Sequence, residues 1–371
     1  MIIAGESSGD FHSAGLIYAL KRIDPGIEIS GIGGERMRQA GAQIFFDISG
    51  LAIIGFTGVV ANFKKIKRVF RLALKEIDAR SPDAVVLVDY PGFNLKMAAE
   101  VKARGIPVIY YISPQIWAWW KGRLKAIKQS VDKMLVVFKF EEPLYKDYGV
   151  DVSFVGHPLL ENAQAQLSRE AFLNKLGLSP RKKTIGLVPG SRKMEVERIL
   201  PILLESAKII GQRLPQVQFV LLKAPGIAKD AVKQFIGPGF PIALCESQTY
   251  DFLESCDFVL VASGTATLET AIMQKPMAVV YKVSFLNWLI ARCLIKIPFI
   301  ALVNVVAGKK IVPEFIQYKA QPHLIADKTL EILNSPEALT TVKSELAKVR
   351  QGLGTPGASQ RAAEIILNFI S

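Results

Sequence analysis

Val85-Val86-Leu87-Val88-Asp89-Tyr90-Pro91-Gly92-Phe93-Asn94 begins as a strand and ends as something else. Four apolar residues, three of them β-branched, predict a strand buried on both faces. Asp89 ends it, Pro91-Gly92 reads as a turn, and a helical pattern runs from Asn94 to Ala103. Strand, turn and helix are the repeating unit of a parallel α/β sheet, which delivers the C-terminal ends of its strands into a ligand crevice. A carboxylate there costs desolvation, which makes Asp89 a candidate general base. The plainer alternative is that Asp89 caps the helix starting near Phe93 or Asn94.

The same unit recurs in both directions. Strands are expected at Met1–Ala4, Ile27–Ile32, Ala84–Val88, Val108–Ile112, Met134–Val137 and Val152–Val155. A second series follows at Thr184–Val188, Gln218–Leu222, Ile242–Leu244, Phe258–Val261 and Met277–Tyr281. Helical patterns lie between them, among them Ala14–Arg22, Glu195–Arg213 and Thr265–Gln274. This alternation predicts two doubly wound parallel-sheet domains, over 1–160 and 161–355. The last helix, within 356–371, is expected to pack back across the domain boundary.

The chain's 371 residues suit two domains of ordinary size. Half are hydrophobic and 21% are charged, which excludes a disordered chain. The net charge of +13 calls for an anionic partner, whether nucleic acid, an acidic membrane surface or a phosphorylated substrate, unless it serves solubility alone. Cys245, Cys256 and Cys293 have no metal-ligand spacing, and His12, His157 and His323 are scattered, so no metal is expected. Sparse cysteines fit reduced thiols in the cytosol. No signal peptide is expected, and the first strand reads as shortened at its start. Residues 283–307 are apolar enough to raise the question of a membrane span, but Arg292, Lys296 and Pro298 interrupt them. The expectation is a helix ending near Lys296, then a strand from Phe299. A surface helix touching lipid is the alternative.

Several motifs fall at strand ends. "GESSGD", Gly5 to Asp10, is a small-residue loop before a helix expected near Ala14, and it carries the carboxylates of Glu6 and Asp10. It lacks the GxGxxG pattern of dinucleotide enzymes. "LVPGSRKMEVE" puts Arg192, whose planar fork suits phosphate, directly after the Pro189-Gly190-Ser191 turn. "VASGTATLE" sets Ser263-Gly264-Thr265 before a helix, an anion site by geometry, with Glu269 one turn on and able to reach a ribose diol. Ser263 or Thr265 as a plain N-cap is the alternative. Trp117, Trp119 and Trp120 precede Lys121, Arg123, Lys125 and Lys128, which suits single-stranded nucleic acid, a sugar, a lipid headgroup or a buried plug. Finally, Phe63, Ile66, Phe70, Ala73 and Ile77 form one helical face opposite Lys64, Lys67, Arg68, Arg71 and Lys75, with Leu72 among the cations. That pattern reads as a membrane-surface helix or as a solvated face over a core stripe.

"GESSGD", "VDYPGFN", "YYISPQIWAW", "FVGHP", "LVPGSR" and "ASGTATLE" stand in the order found in bacterial lipid-A-disaccharide synthases, and the chain resembles that family over essentially its whole length. It departs at "WAWWKGR", where the family often has Arg or a polar residue after W-A-W. The resemblance implies a GT-B-type fold, two Rossmann-like domains with the active site between them. It implies an inverting, metal-independent glycosyl transfer in lipid A and lipopolysaccharide biosynthesis, from UDP-2,3-diacylglucosamine to 2,3-diacylglucosamine 1-phosphate. The enzyme would be peripheral on the cytoplasmic face of the inner membrane, an anionic surface, without cofactor or nucleic acid. A homodimer is left open. Within this frame the catalytic set is Asp89, Glu6 and Asp10. The substrate-binding set is Ser8, Gly9, Asn94, Trp117, Gly190, Ser191, Arg192, Ser263, Gly264, Thr265, Glu269, Tyr281 and Asn304. Glu269 maps to the ribose-binding acid and Asn304, in "LVNVVAG", to a donor-site polar residue. Competing readings are a UDP-sugar epimerase of the same fold class, a basic nucleic-acid-binding protein and, weakest, a nicotinamide dehydrogenase.

Overall fold

The apolar runs assemble into two separate parallel sheets. A computed structural model describes residues 1–48, 63–114, 123–237, 239–284, 288–289 and 298–370. The chain divides into two compact units, one built from Met1–Glu161 with the stretch from Leu353 onward, the other centred on residues 162–352.

The first unit's sheet has strands β1 (Ile2–Ala4), β2 (Ser30–Gly33), β3 (Gln43–Asp47), β4 (Val85–Val88), β5 (Val108–Tyr111), β6 (Lys133–Val136) and β7 (Val152–Phe154), in spatial order β3-β2-β1-β4-β5-β6-β7. The second has β8 (Lys183–Val188), β9 (Val217–Lys223), β10 (Ile242–Glu246), β11 (Phe258–Ala262), β12 (Met277–Tyr281) and β13 (Glu314–Ile316), in order β10-β9-β8-β11-β12-β13. The strand order reverses between β1 and β4 in one unit and between β8 and β11 in the other. Such a reversal leaves a crevice outside the carboxyl ends of the two strands, where open α/β sheets take their ligands.

Both sheets are covered on both faces, which is why their strands are continuously apolar. Val85, Leu87 and Tyr110 pack with Val69, Ala73, Ile77, Met97 and Val101 of the helices Phe63–Arg80 and Pro91–Ala103. In the second unit Leu187, Leu221 and Leu260 pack with Leu200, Leu203 and Ile325 on one face, and Val220, Val259 and Val279 pack with Phe172, Phe252 and Leu346 on the other.

Three local expectations are corrected. Pro91-Gly92 is no free turn: Pro91 opens the helix Pro91–Ala103, where a missing N–H costs nothing and its fixed φ suits the first turn. The first helix begins at Ser7, well before Ala14, so "SSGD" is its first turn. The expected strand from Phe299 is replaced by a helix, Leu302–Ala307, ended by Gly308 at φ 66. The short strands β3 and β13 were not expected. The expected helix ending near Lys296 lies outside the described residues, as do Trp117, Trp119, Trp120 and Cys293.

Candidate active site at the two strand-order reversals

In the first unit the ends of β1 and β4 lie side by side, paired through Ala4 and Val88. Gly5-Glu6 leaves β1 and Asp89-Tyr90 leaves β4. Any substituent on Gly5 would come within 2.2 Å of the Tyr90 ring, so glycine is required by this close approach. Glu6 is the N-cap residue of the helix Ser7–Ile23, with no capping bond from its side chain. It lies near enough to Tyr90 to add to the rise that burial causes in that phenol's pKa. Ser8 and Gly9 are in the first turn of this helix, and Gly9 is tucked against Ala4 and the Val88 carbonyl.

Asp89 is half-buried in a bend of two consecutive left-handed residues, Asp89 at φ 49 and Tyr90 at φ 46. Tyr90 is the N-cap of the helix that follows, its carbonyl accepting from the N–H groups of Phe93 and Asn94. The N-cap position is thus one residue after Asp89. The fully buried Asn94 donates from Nδ2 to the carbonyls of Val88 (3.1 Å) and Asp89 (2.7 Å). Through these two bonds it holds the bend.

Asp10 also bonds backbone groups. Its buried carboxylate accepts from the backbone N–H groups of Gly34 (2.7 Å), Met37 (3.1 Å) and Arg36 (3.2 Å). It caps the neighbouring helix Glu35–Gln39. The adjacent His12 is brought to His157, with ring centroids 6.0 Å apart.

In the second unit the reversal is lined by amides and a cation. Gly190, at φ 110, packs so close to Glu195 that a side chain would meet its carboxylate. Glu195 closes the loop by accepting from the Ser191 N–H and from Arg192 Nη1, each at 3.3 Å. Arg192 is the N-cap residue of the helix Lys193–Arg213. Neighbouring β11 is followed by Ser263, whose hydroxyl donates to the Ile300 carbonyl at 3.3 Å. Gly264, at φ 148, is the N-cap of the helix Thr265–Ile272, so neither Ser263 nor Thr265 is a plain cap. Thr265 is exposed at the helix start. Two helix N-termini thus meet at adjacent strand ends, both favourable to anionic groups.

Glu269 lies one turn into the second of these helices, 3.4 Å from the Tyr250 hydroxyl. Burial raises its pKa and the Tyr250 bond opposes that rise. Tyr281, at the end of β12, feels the charges of Glu195 and Arg192, and burial raises its pKa. Asn304 does not join the group. It is fully buried, and its carboxamide bonds Ile311, Val312 and Glu314, stitching the helix Leu302–Ala307 to β13. This saturation also explains why an apolar, β-branched run is helical there. Among the described residues no group of three or more His, Cys, Asp or Glu is placed to hold a metal.

Residues 1–368 match the family model described as lipid-A-disaccharide synthetase. Curated lipid-A-disaccharide synthases are similar over the full chain, that of Syntrophus aciditrophicus at 46% identity and that of Geobacter sulfurreducens at 41%, each with 100% of this chain and 97% of the relative covered. The chain belongs to the lipid-A-disaccharide synthase family. It is a glycosyltransferase of lipid A biosynthesis, and the epimerase, nucleic-acid and dehydrogenase readings give way to that. Solved structures add the fold. The S. aureus MnaA–UDP co-structure superposes at TM-score 0.69 with 14% identity, covering 100% of this chain and 96% of that one. The glycotransferase of kitacinnamycin superposes at 0.68 with 16% identity, covering 99% and 97%. The fold is of the GT-B type.

Three residues at or near these strand ends were missed in the sequence. Tyr110 and Tyr250 were given no role of their own, and His157 sat in "FVGHP" without a partner in view. Only the strand order brings each to its neighbour.

Proposed function

We propose that this enzyme joins 2,3-diacylglucosamine from its UDP derivative to 2,3-diacylglucosamine 1-phosphate, with inversion and release of UDP. The observation that carries the proposal is an acid-ended reversal in one unit, Asp89 with Glu6, matched by an amide- and cation-lined reversal in the other. The 6-hydroxyl oxygen of the acceptor attacks C1 of the donor sugar. The bond from C1 to the diphosphate breaks on the opposite side, and the hydroxyl proton passes to Asp89. UDP leaves with its diphosphate at Arg192 and the helix starts of Lys193 and Thr265, whose dipoles stabilise the departing charge. Glu269 takes the ribose hydroxyls. UDP in the S. aureus co-structure and UDP-GlcNAc in the Neisseria meningitidis epimerase structure support a UDP-linked donor on this fold.

Acylated substrates call for access to lipid. Ile3, Ile66, Val69, Tyr90 and Phe93 line a small apolar crevice in the first unit. Lys64, Lys67, Arg68 and Arg71 line an open hollow of about 300 Å³ with no acid among the described residues of its wall. The basic hollow supports a peripheral seat on an anionic membrane, and the cytoplasmic face is part of the same proposal. Among the described residues no helix is long and apolar enough to cross a membrane.

The test is product formation from the two acylated sugars. Asp89→Asn keeps the shape but cannot take the proton, and turnover should fall on the order of 10²–10⁴-fold with UDP affinity unchanged. Arg192→Ala should do the converse first, weakening UDP binding by roughly 1.5–3 kcal/mol in calorimetry. Near-normal turnover of folded Asp89→Asn would falsify the base assignment, and unchanged UDP affinity would remove Arg192 from the donor site.

A further inference from the structure

Two adjacent non-glycine residues in the left-handed region are strained. Aspartate tolerates that region better than most, but tyrosine does not. The bend at Asp89-Tyr90 must therefore be held by its surroundings.

The hold is concentrated on one atom. The Asp89 carbonyl oxygen accepts from Tyr110 Oη at 2.6 Å and from Asn94 Nδ2 at 2.7 Å, while the Asp89 N–H donates to the Tyr111 carbonyl at 3.2 Å. Tyr110 and Asn94 are both fully buried, one on β5 and one on the helix after the bend. On the other side the Tyr90 ring is seated against Gly5. Two side chains from different elements thus converge on one backbone oxygen, and neither is open to a ligand. Were Asp89 to relax to an ordinary negative φ, its Cα–Cβ bond would swing to a new direction and the carboxylate would leave its present position.

We propose that Tyr110 and Asn94 are positioning residues for Asp89, holding the strained bend so that its carboxylate stays aligned with the acceptor hydroxyl. The inference rests on Asp89 being the base. It assigns to Tyr110, a core aromatic of β5, a part in turnover without substrate contact. Alignment errors of about 1 Å are enough to cost 10²-fold in rate.

Tyr110→Phe removes one oxygen atom and leaves the packing, so it is the primary variant; Asn94→Ala is the second. Each is assayed in the full chain with both acylated sugars, alone and combined with Asp89→Asn. The expected result for Tyr110→Phe is a fall in kcat of roughly 10- to 10²-fold, with KM for both substrates and UDP affinity within about twofold. In the Asp89→Asn background the same change should have almost no further effect, because residues that act as a unit are not additive. Wild-type kcat in folded Tyr110→Phe overturns the inference while leaving the base assignment standing. An equal loss from Tyr110→Phe with and without Asp89 also overturns it, since the tyrosine would then act elsewhere. Normal turnover in Asp89→Asn alone removes the base, and the positioning role falls with it, by a result distinct from the other two.

Discussion

His12 and His157 meet in the first unit as a buried pair with edge-to-face rings. The Leu159 N–H donates to His157 Nδ1 at 3.2 Å, which suits a neutral imidazole. Burial, then the charge of Arg36, lowers His12 to about 4; burial, then His12, lowers His157 to about 3. In the unfolded chain both take a proton near pH 6.5. The native state is therefore unpenalised above that value and loses stability as pH falls toward 4, because the unfolded state binds protons that the folded one refuses. Between pH 7.5 and 5 each histidine should cost about 2 kcal/mol. Urea unfolding at the two pH values measures it, and His12→Asn with His157→Asn should flatten the difference. A wild-type slope in the double variant would show that other groups carry it. At this scale the sequence was a fair guide to residue type and a poor guide to task. Asp10, Asn94 and Asn304 all sit in motif-like strings, yet the carboxylate of Asp10 and the Nδ2 of Asn94 bond backbone groups, and Asn304 bonds backbone groups and Glu314. Which N–H or carbonyl lies opposite a side chain is set by the packing of distant segments.

Among the elements, the basic helix Phe63–Arg80 was the most legible, because its 3.6-residue period needs no tertiary information. Val69, Ala73 and Ile77 are buried, Phe70 stacks edge-on against Phe93 at 5.3 Å, and Lys64, Lys67, Arg68, Arg71 and Lys75 are exposed. What period alone left open is whether the cations gather, and four of them line one hollow. Each basic residue near an anionic surface contributes about 1 kcal/mol. Replacing Lys64, Arg68 and Arg71 with glutamine should weaken sedimentation with anionic vesicles by about 10²-fold, and high salt should act in the same direction. Binding indifferent to both changes would reduce the helix face to a solvated one. Helix starts were less legible. "SSGD" and "PGF" look like loops because small residues and Pro-Gly serve turns and first helical turns equally well.

At the scale of the molecule, the chain completes the second unit and returns to the first. The helix Ala358–Ile370 packs on Ser7–Ile23, burying Ala358, Ala362, Ala363 and Ile366. Glu161 accepts from the Ser359 N–H at 2.6 Å and its hydroxyl at 2.8 Å, and Arg361 donates to the carbonyls of Val155, Thr355 and Pro356. A chain ending at Gly352 should therefore unfold its first unit at a lower temperature while its UDP affinity, expected from the second unit, is kept. Calorimetry with and without UDP separates the two, and an unchanged first transition would make the returning helix dispensable. The sequence by itself determined the two series of buried strands, the helices between them and the small-residue or acidic loops at strand ends, because period, β-branching and turn chemistry are local. It could not determine that β1 lies beside β4 or β8 beside β11. Strand order is a choice among long-range pairings with the same local pattern, decided by which helix faces bury which sheet faces. Only that choice brings Gly5 to Tyr90, Tyr110 to the carbonyl of Asp89, and the strand before Arg192 beside the strand before Thr265.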